Sequence, residues 1–113
     1  MKIIFENIPL KEFPNFKGGE KSLNSHMYVD DNNKIMKAYL VPGASIGLHS
    51  HDDSSEIIFI TSGSGKAICD GITELLSVGD CHYCQRGSNH TLINTGNENL
   101  CFLAVVPNHE VKH

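Results

Sequence analysis

Two short stretches of the chain carry histidine and acidic side chains at spacings that suit a metal ion. In the first, His49 and His51 stand two residues apart in a predicted strand, so both rings point to the same face. Glu56 begins the next apolar run and shares a strand face with Ile58 and Ile60. Burying that carboxylate is costly unless a charge or a coordinated cation compensates it. We therefore expect a divalent cation bound by both imidazoles and the carboxylate.

The second stretch supplies a third imidazole. His90 and Asn94 fall on one face of a predicted strand, and if that face lines the interior, His90 joins the other ligands. Three neutral nitrogens and one carboxylate oxygen suit one divalent transition metal per chain, namely Mn, Fe, Ni, Co or Zn. In a six-coordinate ion, two positions remain for water, a substrate or dioxygen. Asp53 lies two residues after His51, so in a strand its side chain would point to the same face. It is the alternative oxygen ligand in place of Glu56.

The elements that position these side chains are predicted to be β-strands. Short apolar runs recur about every 8–12 residues between turn residues, which is the spacing of an all-β sandwich or barrel. No segment shows a sustained helical period. The predicted strands span residues 2–5, 25–29, 34–41, 56–61, 65–69, 72–76, 81–84, 90–94 and 99–106. Asp70-Gly71 is predicted as a two-residue hairpin turn, and residues 1–24 as an N-terminal strand followed by an arm or long loop.

The two stretches resemble the paired motifs of the cupin superfamily, in particular a small single-domain cupin of the type-2 conserved-barrel kind. Residues 43–63 fit the first motif at Gly43, His49, His51, Glu56 and Gly63. Residues 79–94 fit the second motif at Gly79, Gly87, His90 and Asn94. Gln85 stands where the family usually has Pro, which concerns the rigidity of a local turn and not the ligands.

This resemblance implies a fold, a domain organisation and a ligand set. The fold is all-β, a double-stranded β-helix (jelly-roll) barrel, and the whole chain, residues 1–113, forms one cupin domain. The metal ligands that the resemblance implies are His49, His51, Glu56 and His90.

Composition and charge exclude several classes of function. The chain has 113 residues, 40% of them hydrophobic, which is enough for one domain with an apolar core. Nine basic residues face thirteen acidic ones, for a net charge of -4, and Arg86 is the only arginine. We therefore expect no nucleic acid and no membrane among the partners. No apolar run is long enough to cross a bilayer, so a soluble protein is expected.

The cysteines are expected to remain reduced. Glu6 and Asn7 interrupt the N-terminal apolar stretch too early for a signal peptide, so the expected compartment is the cytoplasm, where thiols persist. Cys81 and Cys84 have the spacing of a redox or zinc pair. In a strand, however, that odd offset sends the two side chains to opposite faces. We predict buried, inert thiols.

Two predicted strands are apolar on both faces. Residues 57–60 and 100–106 show no alternation, so one face can line the interior and the other needs a cover. The N-terminal segment and a second copy of the chain are the two candidates for that cover. We expect a homodimer, because a two-fold partner can cover the outer face of a small β-barrel.

The predicted function is that of a small metalloenzyme acting on a polar small molecule, of oxygenase, isomerase or lyase type. Tyr83 and Gln85, just before the turn that leads to His90, are the candidate catalytic residues. No second carboxylate is placed as a general base, since residues 100–106 are wholly apolar. The alternative is a non-catalytic module that binds or senses a small molecule or sugar, with the metal fixing the ligand without turnover.

Overall fold

The computed structural model describes residues 1–110, so residues 111–113 of the predicted domain lie outside the described part of the chain. Most of this part forms β-strands, in which buried and more exposed side chains tend to alternate. The strands are β1 (Lys11–Pro14), β2 (Ser22–Val29), β3 (Asn33–Leu40), β4 (Ser45–Ser50), β5 (Glu56–Ser62), β6 (Gly65–Cys69), β7 (Ile72–Leu76), β8 (Cys81–Cys84), β9 (Asn89–Ile93) and β10 (Leu100–Pro107). Two single-turn 3-10 segments, Phe5–Asn7 and Phe16–Gly18, complete the elements.

The strands form two antiparallel sheets that enclose the core. The larger sheet has the order β1-β2-β3-β10-β5-β8, and the smaller has the order β4-β9-β6-β7. From β3 onward the chain passes repeatedly from one sheet to the other: β4 lies in the smaller sheet, β5 in the larger, β6 and β7 in the smaller, β8 in the larger, β9 in the smaller and β10 in the larger. This is the jelly-roll arrangement, and the predicted all-β fold class is confirmed.

Period-two alternation explains which side chains fill the core. On β5, Glu56, Ile58 and Ile60 point inward and are buried, as their shared parity predicts. The large apolar side chains that are almost fully buried between the sheets are Leu23, Leu40, Ile58, Leu92, Leu100 and Phe102. Because Glu56 stands at the start of the inward row of β5, the apolar core ends at a polar cluster on one side of the barrel.

The hairpin turn at Asp70-Gly71 is confirmed. It joins β6 to β7, and the two residues have φ values of 48° and 80°. Asp70 also holds the turn against β9, because its Oδ1 accepts a hydrogen bond of 3.0 Å from the Asn89 N–H.

The N-terminal predictions were wrong in two places. Residues 2–5 do not form a strand, and the first strand, β1, lies inside the segment predicted as an arm or loop. In β1 only Phe13 is even partly buried, so no apolar period marks the strand in the sequence. β1 pairs with β2 alone, as an edge strand that tolerates Pro14. β2 in turn begins at Ser22, three residues earlier than predicted.

Within residues 1–110 we find no helical segment with the length and apolarity that a transmembrane span needs.

Candidate metal centre

The four predicted ligands come from both sheets. His49, near the end of β4, is paired in register with His90 of β9, so these rings stand side by side on the smaller sheet. Glu56 opens β5 on the larger sheet. His51 lies in the loop between β4 and β5, where its N–H donates to the Ser88 carbonyl at 3.0 Å. That hydrogen bond ties the loop to the turn before β9 and holds His51 beside the other ligands.

The four side chains converge on one point. One ligand atom from each lies within 4.8 Å of all the others. His51 Nε2 is 3.2 Å from His49 Nε2, 3.0 Å from His90 Nε2 and 3.2 Å from Glu56 Oε1. His90 Nε2 is 3.2 Å from His49 Nε2 and 3.0 Å from Glu56 Oε1. The remaining pair, His49 Nε2 and Glu56 Oε1, is 3.9 Å apart.

These separations match an octahedral ion better than a tetrahedral one. Ligand atoms about 2.1 Å from an ion lie about 3.0 Å apart at a right angle and about 4.2 Å apart when opposed. A tetrahedral ion would give about 3.4 Å for every pair. One long separation among short ones is the arrangement of four octahedral ligands with a single opposed pair. An ion held by these four atoms would have two further positions beside each other, as a bidentate ligand requires.

Two of the imidazoles are oriented by partners close in sequence. His49 Nδ1 lies 2.7 Å from the carbonyl oxygen of Gly47. Because a carbonyl only accepts, Nδ1 carries the proton and Nε2 offers its lone pair to the cluster. His51 Nδ1 lies 2.8 Å from Ser54 Oγ. Such partners fix the ring orientation of a metal-binding histidine.

Glu56 is ionised although it is buried. Burial raises the pKa of this carboxyl, but the hydrogen bonds and charges of His51 and His90 outweigh burial and lower the pKa to about 2. Burial lowers the pKa of His49. Three imidazole nitrogens and one carboxylate oxygen form a donor set that first-row divalent ions accept. The cluster therefore fits a divalent metal.

The cluster opens into a cavity of about 160 Å³. His49, His51 and Glu56 form its floor, and the residues around them are Phe16, Lys17, Met27, Lys34, Met36, Ser50, Ser54 and Val106. Glu56 is the only carboxylate that lines it within residues 1–110, whereas two lysines do so. The lining around the cluster is therefore mixed, with four apolar side chains, two serines and two lysines.

Tyr83 and Gln85, the candidate catalytic residues, are not brought to this cavity. Tyr83 alternates with the inward-facing His82 on β8, so its ring lies on the outer surface and is 55% exposed. Gln85 is also exposed. Both line a shallow depression on the outside of the barrel.

Asp53, the alternative oxygen ligand, lies outside the cluster. Its side chain is exposed and its Oδ1 is 3.6 Å from Arg86 Nη2. The Arg86 Nε donates to the Asp52 carbonyl at 3.2 Å, so the guanidinium is engaged at the surface. Of the two candidate oxygens, the geometry selects that of Glu56.

The two cysteines of β8 face opposite sides, as predicted. Cys84 is fully buried, whereas Cys81 is exposed, so the prediction that both are buried was wrong for Cys81. Cys81 lies on the outer face of an edge strand, which the described chain leaves uncovered. All four cysteines are free thiols.

His82 is a buried histidine that the sequence did not assign to the site. Its Nε2 lies 3.0 Å from His90 Nδ1, and its Nδ1 lies 2.6 Å from Glu74 Oε1. Alternation along β8 predicts that His82 points opposite to Tyr83. Its contact with His90 depends on β8 lying across the barrel from β9, which local sequence does not reveal.

Comparison with known proteins identifies the family. Residues 36–106 match the family model described as the cupin domain. The chain belongs to the cupin family. A relative from Thermotoga maritima, named an oxalate-binding protein, is 40% identical over 67 residues, which are 59% of this chain and 55% of that relative.

Solved structures support the same cupin fold. The crystal structure of a predicted oxalate decarboxylase from Thermotoga maritima has a TM-score of 0.89 and 28% identity, covering 96% of this chain and 99% of that one. The cupin domain of Cnp3 from Schizosaccharomyces pombe has a TM-score of 0.78 at 11% identity, covering 96% and 74% of the two chains. The second likeness concerns the fold alone.

Proposed function

We propose that this cupin binds one divalent transition metal, Mn, Fe, Ni, Co or Zn, and uses the ion to hold a small carboxylate such as oxalate. The ligands would be His49, His51, Glu56 and His90. The observation that carries the proposal is the convergence of three imidazole nitrogens and one carboxylate oxygen at separations that suit an octahedral ion. A six-coordinate ion held by these four residues would have two positions for a ligand. A bound ion would supply Lewis-acid polarisation and a positive charge for the ligand.

The cavity above the cluster suits a compact anion. Its volume of about 160 Å³ is below the roughly 300–1,000 Å³ of sites for drug-sized ligands. Lys17 and Lys34 place two positive charges at its lining. The name of the oxalate-binding relative agrees with this chemistry, although the match covers only about half of that protein.

A metalloenzyme of oxygenase, isomerase or lyase type is the second candidate. Open coordination positions support it, because a substrate or dioxygen can bind there. The lining of the cavity supports binding over turnover: within residues 1–110, Glu56 is its only carboxylate, and Tyr83 and Gln85 lie outside it. Binding without turnover is therefore our first choice.

The metal is tested by elemental analysis of protein purified without an affinity tag or chelator, beside a His49→Ala/His51→Ala double variant. We expect near one equivalent of a first-row ion in the parent and none in the variant. Absence of metal from the parent, even after incubation with all five ions, would overturn the proposal.

The ligand is tested by calorimetric titration of the metal-loaded and metal-free protein with oxalate. We expect binding only with the ion, and up to about fivefold weaker binding in Lys34→Gln, because an exposed charge pair contributes about 0.2–1 kcal/mol. Lys11→Gln, on β1, is the matched control and should bind as the parent does. Product formation from oxalate, diketones or uronates would move the assignment to the enzyme. Oxalate binding that ignores the ion would contradict both.

We also propose a cytoplasmic homodimer formed through the outer face of β5 and β10. Phe59 and Leu103 are direct cross-strand neighbours on this face and are 47% and 38% exposed. Tyr83 and Cys81 continue the uncharged surface onto β8. Lys37 of β3, the cross-strand neighbour of Leu103 on its other side, borders this apolar strip. A second copy is the occupant that the strip favours.

A further inference from the structure

His82 joins the cluster to a surface carboxylate through two hydrogen bonds. The ring is almost fully buried, with 1% of its surface exposed. One nitrogen, Nε2, is 3.0 Å from His90 Nδ1, and the two rings are within 22° of parallel. The other, Nδ1, is 2.6 Å from Oε1 of Glu74, whose side chain is 48% exposed. The result is a continuous line of polar contacts from solvent to a ligand of the cluster.

The line crosses the seam between the sheets. His82 lies on β8, the last strand of the larger sheet, and Glu74 lies on β7, the last strand of the smaller one. Neither edge strand pairs with the other. The Glu74–His82 contact therefore connects two sheets that have no backbone hydrogen bond at this point, and it holds the His82 ring against His90.

The Glu74 carboxylate determines where the proton lies on His82, and His82 in turn affects where it lies on His90. A carboxylate can only accept, so His82 Nδ1 carries the proton that it shares with Glu74. With its proton at Nδ1, the His82 ring offers a lone pair at Nε2, which accepts from His90 Nδ1–H. His90 Nε2 is then free to offer a lone pair to an ion. In the metal-free protein Glu56 Oε1 lies 3.0 Å from this Nε2 and favours the other tautomer, because a carboxylate only accepts; the contacts through His82 to Glu74 oppose that preference. The opposite polarity would place an N–H on His90 Nε2 and block coordination.

The other two imidazoles differ in this respect. The outer nitrogen of His49 faces a backbone carbonyl, and that of His51 faces a hydroxyl. His90 alone is backed by a chain that ends in a charged group. Partners of this kind raise the basicity of a metal-binding histidine as well as orienting it.

We propose that Glu74 and His82 are positioning residues that set the His90 tautomer and strengthen its Nε2 as a metal ligand. The inference rests on the proposed metal site for its affinity prediction, whereas the tautomer prediction applies to the metal-free protein. Its failure and the failure of the metal site are therefore distinguishable.

The test compares His82→Leu, His82→Gln and Glu74→Ala with the parent full-length protein. Co²⁺ affinity is measured by chelator competition, and the His90 tautomer by ¹⁵N NMR of the metal-free protein. In His82→Leu we expect about 10- to 100-fold weaker Co²⁺ binding and a mixture of His90 tautomers. His82→Gln, whose amide oxygen accepts from His90 Nδ1–H, should recover most of the affinity and restore the Nδ1–H form. His26→Leu removes a histidine that bonds the Ile8 carbonyl away from the cluster, and it should leave both readouts unchanged.

Glu74→Ala keeps the test valid if His82→Leu does not fold, since Glu74 is half exposed on an edge strand. We expect about tenfold weaker Co²⁺ binding in this variant. Unchanged affinity together with an unchanged His90 tautomer, in His82→Leu or in Glu74→Ala, would overturn the proposal. Equal losses in His82→Leu and His82→Gln would also overturn it, because they would show that His82 acts only by filling space.

Discussion

His49 Nε2 and Glu56 Oε1 face each other across the cluster at 3.9 Å, the longest separation between any two of the four ligand atoms. His49 stands on the smaller sheet and Glu56 on the larger one. The two sheets thus supply the opposed ligands, while His51 and His90 lie to the side of the line that joins them. The geometry of the centre depends on how the sheets are packed and not on one strand.

The cobalt-loaded protein is expected to have six-coordinate spectra. Four ligands with one opposed pair leave two adjacent positions for water, and a six-coordinate Co²⁺ ion absorbs weakly in the visible region. The measurement is a titration of metal-free protein with Co²⁺, followed by oxalate. Intense visible bands typical of a tetrahedral ion would contradict the octahedral arrangement.

Loss of the Glu56 carboxylate is expected to weaken metal binding more than loss of His82, which contacts the cluster only through His90. Glu56→Gln keeps the shape of the buried side chain but removes the only negative charge in the cluster. We expect Co²⁺ affinity to fall by more than the about 100-fold that an outer partner can cost. Asp53→Asn is the control, since its surface carboxylate pairs with Arg86 and should leave affinity unchanged. Equal affinities in the two variants would contradict the ligand assignment.

Part of the cluster could be predicted from local spacing. Glu56 is two residues before the buried Ile58, and alternation along β5 turns both side chains inward. His51 lies in the loop after β4, so its place beside His49 depends on the hydrogen bond to Ser88 as well as on spacing. The relation between His82 and Glu74 has no such signal, because it arises where the edges of two sheets meet.

Tyr83 shows that proximity along the chain does not give proximity in space. Tyr83 is near His90 along the chain, yet alternation turns it outward while His82 enters the core. The strand at Lys11–Pro14 escaped notice for a different reason. It pairs on one side only and buries little, so burial left no periodic pattern in its sequence. The central strands β5 and β10, hydrogen-bonded to a neighbour on each side, carry the apolar runs by which they were predicted.

Cys84 is expected to resist thiol reagents up to pH 9. Burial raises the pKa of this thiol to about 12, so the reactive thiolate is scarce in the folded protein at that pH. The sign follows from the raised pKa: the thiol stays protonated as pH rises from 7 to 9, where an unfolded cysteine begins to ionise. Mass spectrometry after alkylation at pH 9, with and without denaturant, measures the difference. Rapid labelling of Cys84 in the folded protein would contradict it.

Charge placed on the outer face of β10 is expected to separate the proposed dimer. Leu103→Glu puts a carboxylate between Phe59 and Lys37, the two cross-strand neighbours of Leu103, and burying it against a second copy would be costly. Light scattering should give a dimer mass for the parent and a monomer mass for the variant. Leu75→Glu, at a more exposed leucine on the smaller sheet, should remain a dimer. A monomeric parent at micromolar concentration would refute the interface.

A methyl group at Gly47 is expected to destabilise the fold next to the cluster. A Cβ there would overlap the Lys17 carbonyl oxygen and lie 2.7 Å from the Gly19 backbone nitrogen, because β4 packs backbone against backbone on that segment. The Gly47 carbonyl also accepts from His49 Nδ1, so any displacement loosens a ligand. We expect Gly47→Ala to lower the free energy of unfolding by roughly 1–3 kcal/mol and to weaken Co²⁺ binding.

The measurement is urea unfolding of the metal-free protein, with Leu48→Ala as the control on the same strand. Leu48 is 65% exposed, so its truncation should change the free energy of unfolding by less than about 0.5 kcal/mol. The fixed Gly47–Lys17 contact also carries Lys17 to the lining of the cavity. Equal free energies of unfolding for Gly47→Ala and Leu48→Ala would contradict the close backbone packing of Lys17 and Gly19 against β4.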